Sequence, residues 1–433
     1  MNLDVDKPQT RFVNRKALNL IPWQPLTSRD FRLLWIGQSV SLLGDQIYLV
    51  ALPLLTLQLN GSGFALGTVL MATTIPRALF QLVGGALSDQ FSPHRLILIS
   101  NAGRALLIAI LTTEIMLGTI KFWHLYPLAI GLGLADAFFY PAFKSLVALI
   151  MDEHKLAASN ALLQLSTQSS KFIGPLLASL VILTTGFGAA FALDTLSFIF
   201  AILLLLMMRG EAAWLPAQEE AGTDEREART SKPGGLMDSI RKGLSYAWGD
   251  PIIRNILVLT TILEFSFAGP LFVGLPTLVK ERFAGSPTAF GAMLSTFGAS
   301  MLVGTLLAPA ITKLRYRFLI IVGISCAFGI GLSLMGFVKN VPSGCVLLGF
   351  MGLGAGILQI LTLTWLQTRA PANMRGRVIS IFTFAGYVLT PLSYAIAGAV
   401  VDLNLALTFV VAGGLMTVTA LGALGSRTVR APS

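Results

Sequence analysis

Asp45, Asp136 and Glu264 are carboxylates in places where carboxylates are costly. Each sits near the middle of a long apolar stretch. An ionised side chain at the centre of a membrane helix costs about 2.5–3.5 kcal/mol on insertion scales, so such groups face a partner or a water-filled cavity. Arg77 and Lys171 lie in the same kind of setting. Around Asp45 the helical period is explicit: Gln38, Ser41, Asp45 and Tyr48 follow at steps of 3, 4 and 3 and share one face. Asp136, Tyr140 and Lys144 form a similar stripe, as do Gln164, Gln168 and Lys171, and Gln359, Thr362 and Trp365. Together they predict a partly wet cavity whose apolar walls include Phe138, Phe139, Phe143, Phe267 and Phe272. A carboxylate held away from water favours its neutral form and can carry a proton. Asp45, with Asp136 or Glu264, is therefore expected to couple proton entry to the movement of an organic substrate. The alternative is a set of permanent ion pairs, Asp45 with Arg77 or Lys171, that only fix helix contacts. Arg77 and Lys171 read as charge partners, and Arg104, Glu114 and Asp194 as structural charges.

The elements that must position these groups are membrane spans. Of 433 residues, 54% are hydrophobic and 12% charged, against about 25% charged in an average soluble domain. Mean hydropathy is +0.75. A span needs about 20 apolar residues, and such segments occur at 31–59, 64–87, 96–119, 124–150, 156–184, 187–208, 252–279, 288–311, 318–338, 342–368, 378–401 and 404–425. The expected fold class is an all-α membrane protein with 12 transmembrane helices in two six-helix bundles. Residues 1–30 form an N-terminal tail, 31–208 the first bundle, 209–250 a linker, 251–425 the second bundle and 426–433 a C-terminal tail. The linker core at 219–232 is polar and charged, and residues 234–248 suit a short amphipathic helix on the membrane surface. No short apolar segment with a small-residue cleavage site follows the first residues, so no cleaved signal peptide is expected.

The charge of +10 is explained by its placement and does not call for nucleic acid. With both tails on one side, 23 of the 31 Lys and Arg residues lie on that side, four lie opposite and four lie within spans. The positive-inside rule then places both tails in the cytoplasm and the chain in the cell membrane. Cys326 and Cys345 have no metal or disulfide spacing, and His94, His124 and His154 stand apart, so neither metal nor cofactor is expected. The two halves also echo one another. Ala51-Leu-Pro-Leu-Leu55 precedes Gly61-Ser-Gly-Phe-Ala-Leu-Gly67, as Gly274-Leu-Pro-Thr-Leu278 precedes Gly285-Ser-Pro-Thr-Ala-Phe-Gly291, and Pro175-Leu176 matches Pro391-Leu392. Paired repeats imply a pseudo-two-fold axis with a site between the halves.

Three passages resemble the major facilitator superfamily in its drug and siderophore exporter branch. The first is Gly84-Gly-Ala-Leu-Ser-Asp-Gln-Phe-Ser-Pro-His-Arg95, where Gly85, Asp89 and Arg95 match the superfamily's loop between spans 2 and 3. The second is Phe138 to Lys144 with Leu156 to Leu163, leading to Gly174-Pro175, similar to the antiporter signature with Ala178-Ser179 for its small pair. The third is Arg375-Gly-Arg-Val378, opening span 11. The resemblance implies that Asp89 latches against the start of span 11, near Arg375 and Arg377, in the outward-facing state. It also implies that spans 1, 4 and 7 line the cavity and that the protein works as a monomer. Independently, Gly84 and Gly85 allow close helix approach, and Pro175 permits a bend.

The function expected is secondary active export of a drug-like or secreted small molecule in exchange for protons. Proton-coupled uptake of a nutrient is the alternative in the same class. A membrane enzyme or sensor is disfavoured: no GxxxxGK[ST] loop and no HExxH occur, and the linker is too short for a sensory domain.

Overall fold

The helices begin where the sequence supplies a cap. Ser28 Oγ accepts the Phe31 amide (3.5 Å) at the head of α1 (Arg29–Leu59), and Ser62 Oγ accepts that of Ala65 (3.2 Å) at the head of α2 (Gly63–Gln90). α3 (Pro93–Met116), α4 (Leu125–Ile150) and α5 (Glu153–Leu206) complete the first half. In the second half Asp250 Oδ1 takes the Ile252 and Ile253 amides (2.9 and 3.3 Å) to start α6 (Pro251–Gly269). There follow α7 (Leu275–Arg282), α8 (Pro287–Ile311), α9 (Arg317–Met335) and α10 (Val341–Arg369). The last three are α11 (Arg375–Tyr387), α12 (Thr390–Val401) and α13 (Leu405–Leu424). Each side-chain cap satisfies amides that a helix start leaves without partners. This computed structural model describes residues 23–209, 244–311, 317–371 and 374–424. Residues 1–22 of the N-terminal tail, the C-terminal tail, the linker core at 219–232 and most of the expected surface helix at 234–248 lie outside the described residues.

Eleven helical stretches among the described residues are long and apolar enough to cross a membrane. One of them crosses twice. α5 has 54 residues, about 80 Å of helix at 1.5 Å per residue, against a hydrocarbon core of about 30 Å. Gly186 breaks it with φ 83° and ψ −179°, a backbone that glycine adopts without a Cβ clash. The arms before and after Gly186 are spans 5 and 6, giving twelve crossings, as the hydropathy predicts.

Spans 7 and 11 depart from the expected continuous helices. Span 7 runs through α6, a π-helical turn at Pro270–Gly274 and α7. Span 11 is divided between α11 and α12 just before Pro391. In both, proline withdraws a backbone donor and forces a local break. Ser393 Oγ repairs the first: it accepts the Gly269 amide (2.8 Å) and donates to the Phe265 carbonyl.

Within the first half α1 lies between the two arms of α5, and α3 and α4 pack on each other and on their neighbours. Within the second, α8 packs on α10 and α9 on α13, while α11, α12 and α13 surround α6. Among the described residues, the halves are joined mainly by α2 with α12 and the first arm of α5 with α8, with smaller contacts of α1 with α7 and α8 and of α2 with the π-helical turn.

Candidate functional site

The central charges of the first half fold into one group. Arg104 on α3, 3% exposed, donates to Asp136 Oδ1 on α4, and Arg77 on α2 reaches Asp136 Oδ2 at 3.6 Å. Rings back both guanidiniums: Arg104 lies 4.3 Å from the Phe139 centroid and Arg77 4.5 Å from that of Tyr140. Planar, delocalised cations suit such stacking and keep their charge when buried. Arg77 and Asp136 are 35% and 24% exposed, so this pair stands at the accessible edge of the group. Asp45 on α1 and Asp194 on the second arm of α5 lie within electrostatic reach of Arg104.

A cavity of about 620 Å³ opens beside this group, at the boundary between the halves. Its size falls in the range of small-molecule sites, about 300–1,000 Å³. α1 contributes Gln46 and Leu49, the first arm of α5 contributes Lys171 and Pro175, and the second half forms most of the wall. That wall is aromatic: Phe267 lies 5.4 Å from Phe297 and 5.0 Å from Phe328, centroid to centroid. The π-helical turn brings Leu271 and Phe272 into the lining. Glu264 and Lys171, the acid and the base among the described lining residues, face one another electrostatically from opposite halves. Arg77 acts on Tyr387 and Tyr394, which also feel Glu264. A run of interacting charges and phenols thus leads from Asp194 through Arg104, Asp136 and Arg77 to Glu264 and Lys171.

The contacts that close the halves onto each other lie toward the end remote from the linker. A Cβ on Gly67 would fall 2.4 Å from the Tyr394 carbonyl oxygen, and one on Gly298 the same distance from that of Lys171. At the tip, Asp402 accepts from Ser62 Oγ (2.6 Å), Gly63 N (2.6 Å) and Phe64 N (3.0 Å), and Lys280 donates to the Gly61 carbonyl (2.6 Å). Asp402 therefore caps α2 across the halves, a favourable place for an anion. Toward the linker Leu79, Phe80 and Val83 of α2 are exposed, as are Phe384 and Tyr387 of α11, and α11 packs on α6 and α10 of its own half.

Asp402 lies just past the end of α12, and its titration has a sign. Burial pushes its carboxyl up, but hydrogen bonds from Ser62, Phe64 and Gly63, with Lys280 nearby, outweigh that and hold it below the ordinary carboxylate range. Its contribution is complete above the unfolded-state value of about 4 and is lost as pH falls through the lower folded value. Closure at this end should be unchanged from about pH 8 to about pH 5 and weaken below about pH 4. Asp402→Asn should loosen it at neutral pH, read as the distance between spin labels at positions 60 and 403.

The structure gathers some of the expected residues and separates others. Glu264 lines the cavity; Asp45, Asp136, Gln38, Ser41 and Tyr48 are not among its lining residues, which include Gln46 from that span. The α1 stripe turns instead into the first half, where Ser41 is buried and the Tyr48 ring lies 6.1 Å from Phe191. The physical reason is Gly44, which draws α1 onto the second arm of α5: a Cβ there would fall 2.5 Å from Asp194 Oδ1. Arg77 is a charge partner, with Asp136 its ion-pair partner. Phe267 and Phe272 line the cavity, while Phe139 backs Arg104 and stacks on Phe143. Gly174 lets α5 meet Gln46 of α1, and Pro175 abuts Gly291 of α8. Of the two glycines expected to allow close helix approach, Gly84 does so, against the Ala137 carbonyl. Arg95 is exposed. The side chains of Asp89, Arg375 and Arg377 lie outside the described residues, and with them the expected latch. Arg104 and Asp402 were missed as partners across helices. A lone arginine inside span 3 signals that it needs a carboxylate, but not which one.

Twelve helical crossings, two joined halves and a ligand-sized cavity between them define a polytopic membrane transporter. The family model of the Major Facilitator Superfamily matches residues 34–394, and the chain belongs to that superfamily. It is 25% identical over 365 residues to Multidrug efflux pump Tap of Mycolicibacterium fortuitum, covering 83% of this chain and 86% of that one. It is 22% identical to Macrolide efflux protein A of Streptococcus pyogenes, covering 81% and 84%. The crystal structure of nucleoside transporter NupG shares the fold with a TM-score of 0.72 at 12% identity, covering 91% of this chain and 98% of that one.

Proposed function

We propose that this protein exports drug-like or secreted small organic molecules across the cell membrane in exchange for protons, as a monomer with both termini in the cytoplasm. The relatives' names, multidrug and macrolide efflux, support the substrate class. The observation that carries the proposal is the cavity wall: an aromatic chamber at the boundary of the halves, lined by Glu264 from the second half and Lys171 from the first. An amphiphilic molecule is held by the rings, and a cationic group on it competes with Lys171 for Glu264. The described contacts between the halves lie toward the end remote from the linker, an asymmetry in keeping with one of the two states of alternating access. With the termini cytoplasmic, this is the state open to the cytoplasm, the side from which an exporter loads.

Cells overproducing the protein should hold less ethidium or macrolide than control cells, and collapsing the proton gradient should raise accumulation. Uptake by symport predicts the reverse, a fall. Glu264→Gln keeps the shape of the cavity and removes its acid. It should abolish gradient-driven export of ethidium while leaving the protein folded in the membrane. Export of ethidium at the wild-type rate by the variant, or by the wild type without a gradient, would refute the reading.

A further inference from the structure

We infer that Asp194, deep in the second arm of α5, shares one exchangeable proton with Asp45, so that this pair is the proton site of the first half. The inference deepens the proton-coupled reading above and rests on it.

Asp194 is 1% exposed, and among the described residues its Oδ1 has no hydrogen-bond partner, although it lies against the α1 backbone at Gly44. An ionised carboxylate so placed recovers only part of its lost solvation, from the Ser197 side chain, a cost that paired or protonated groups avoid. The surrounding charges do not balance it. From α2 and α3 come Arg77 and Arg104, from α4 Asp136 and Tyr140, and from α1 Asp45 and Tyr48. Both guanidiniums are engaged by Asp136. Two cations and that carboxylate leave one net positive charge to face two further carboxylates. One proton on Asp45 or Asp194 brings the group to neutrality. Both acids feel Arg104, Asp194 feels Asp45, and Asp194 Oδ1 lies against Gly44, the residue next to Asp45, so the proton belongs to the pair.

The two acids differ in what they can do with it. Asp45 is partly accessible and belongs to the helix that also sends Gln46 into the cavity. Asp194 is sealed from solvent. The proton binds as a neutral carboxylic acid in one state and leaves to water through Asp45 in the other; no other bond changes. Because Arg77, the ion-pair partner of Asp136, acts on Tyr387 in the cavity wall, loss of that proton is felt there.

Asp194→Asn is the test, because asparagine keeps the size and mimics the protonated acid. In liposomes, exchange of labelled for unlabelled ethidium should persist while gradient-driven transport is lost. In pH-difference infrared spectra of the purified protein, a carboxylic-acid band present in the wild type should be missing. Should the variant fold but fail to exchange, the infrared comparison still decides. Gradient-driven transport at the wild-type rate, or an unchanged carboxylic-acid band, would overturn the assignment. The infrared result does not depend on transport, so a wild type that ignores the gradient but shows the band refutes coupling and leaves the shared proton standing.

Discussion

Arg104→Met is expected to destabilise the protein by about 3–5 kcal/mol, the usual result of removing one partner from a buried ion pair. Methionine fills much of the space, so the loss is electrostatic. Asp136 keeps only Arg77, at 3.6 Å and 35% exposed, and the field that Asp45 and Asp194 share disappears. Phe139 also loses the guanidinium 4.3 Å from its centroid. Adding Asp136→Asn should return part of the loss, because groups in one network couple by about 0.5–3 kcal/mol. The check is thermal unfolding in detergent of the wild type, the two single variants and the double. Additive effects would show that the two side chains do not act as a unit.

Much of the fold is legible in the sequence because hydrophobic length is a direct physical requirement of the bilayer. The limits of α1, α8 and α10 fall within two residues of the expected segments, and Gly186 stands in the gap expected between spans 5 and 6. Pro270 and Pro391 are less decisive. A proline inside a span either bends a helix or breaks it, depending on whether a neighbour such as Ser393 can take the freed groups. The candidate site was legible in kind and not in pairing. Asp45, Asp136 and Glu264 announce themselves by the cost of their charges, but the sequence does not say that Asp136 would take both Arg77 and Arg104. Which helix faces meet is decided by small residues such as Gly44 and Gly84, whose contacts exist only once the helices are packed. Asp402 was missed because a carboxylate at a helix end is ordinary until the helix it caps is known to come from the other half.

Gly67→Val should have the second large effect, on the transport cycle. Its Cβ would lie 2.4 Å from the Tyr394 carbonyl oxygen, and a backbone atom in a packed helix cannot move aside as a flexible side chain can. Overpacking of this kind costs about 1–3 kcal/mol. Alternating access as proposed parts α2 from α12 here when the remote end opens, so the cost should fall on the closed state and shift the balance by about 5–150-fold toward the open one. The variant should fold, bind ethidium more weakly from the linker side and transport slowly. Gly103→Val is the control, since a Cβ at Gly103 meets nothing within 4 Å.

The measurement that tests alternating access most directly uses spin labels in a chain with Cys326 and Cys345 replaced. One labelled pair, at Asn60 and Leu403, spans the remote end; another, at Glu153 and Pro371, spans the end nearer the linker. On changing pH or adding ethidium, the two distances should move in opposite senses, the first lengthening as the second shortens, and Gly67→Val should begin with the first already long. Distances that stay fixed, or that lengthen and shorten together, would contradict a transporter whose halves rock about a cavity between them.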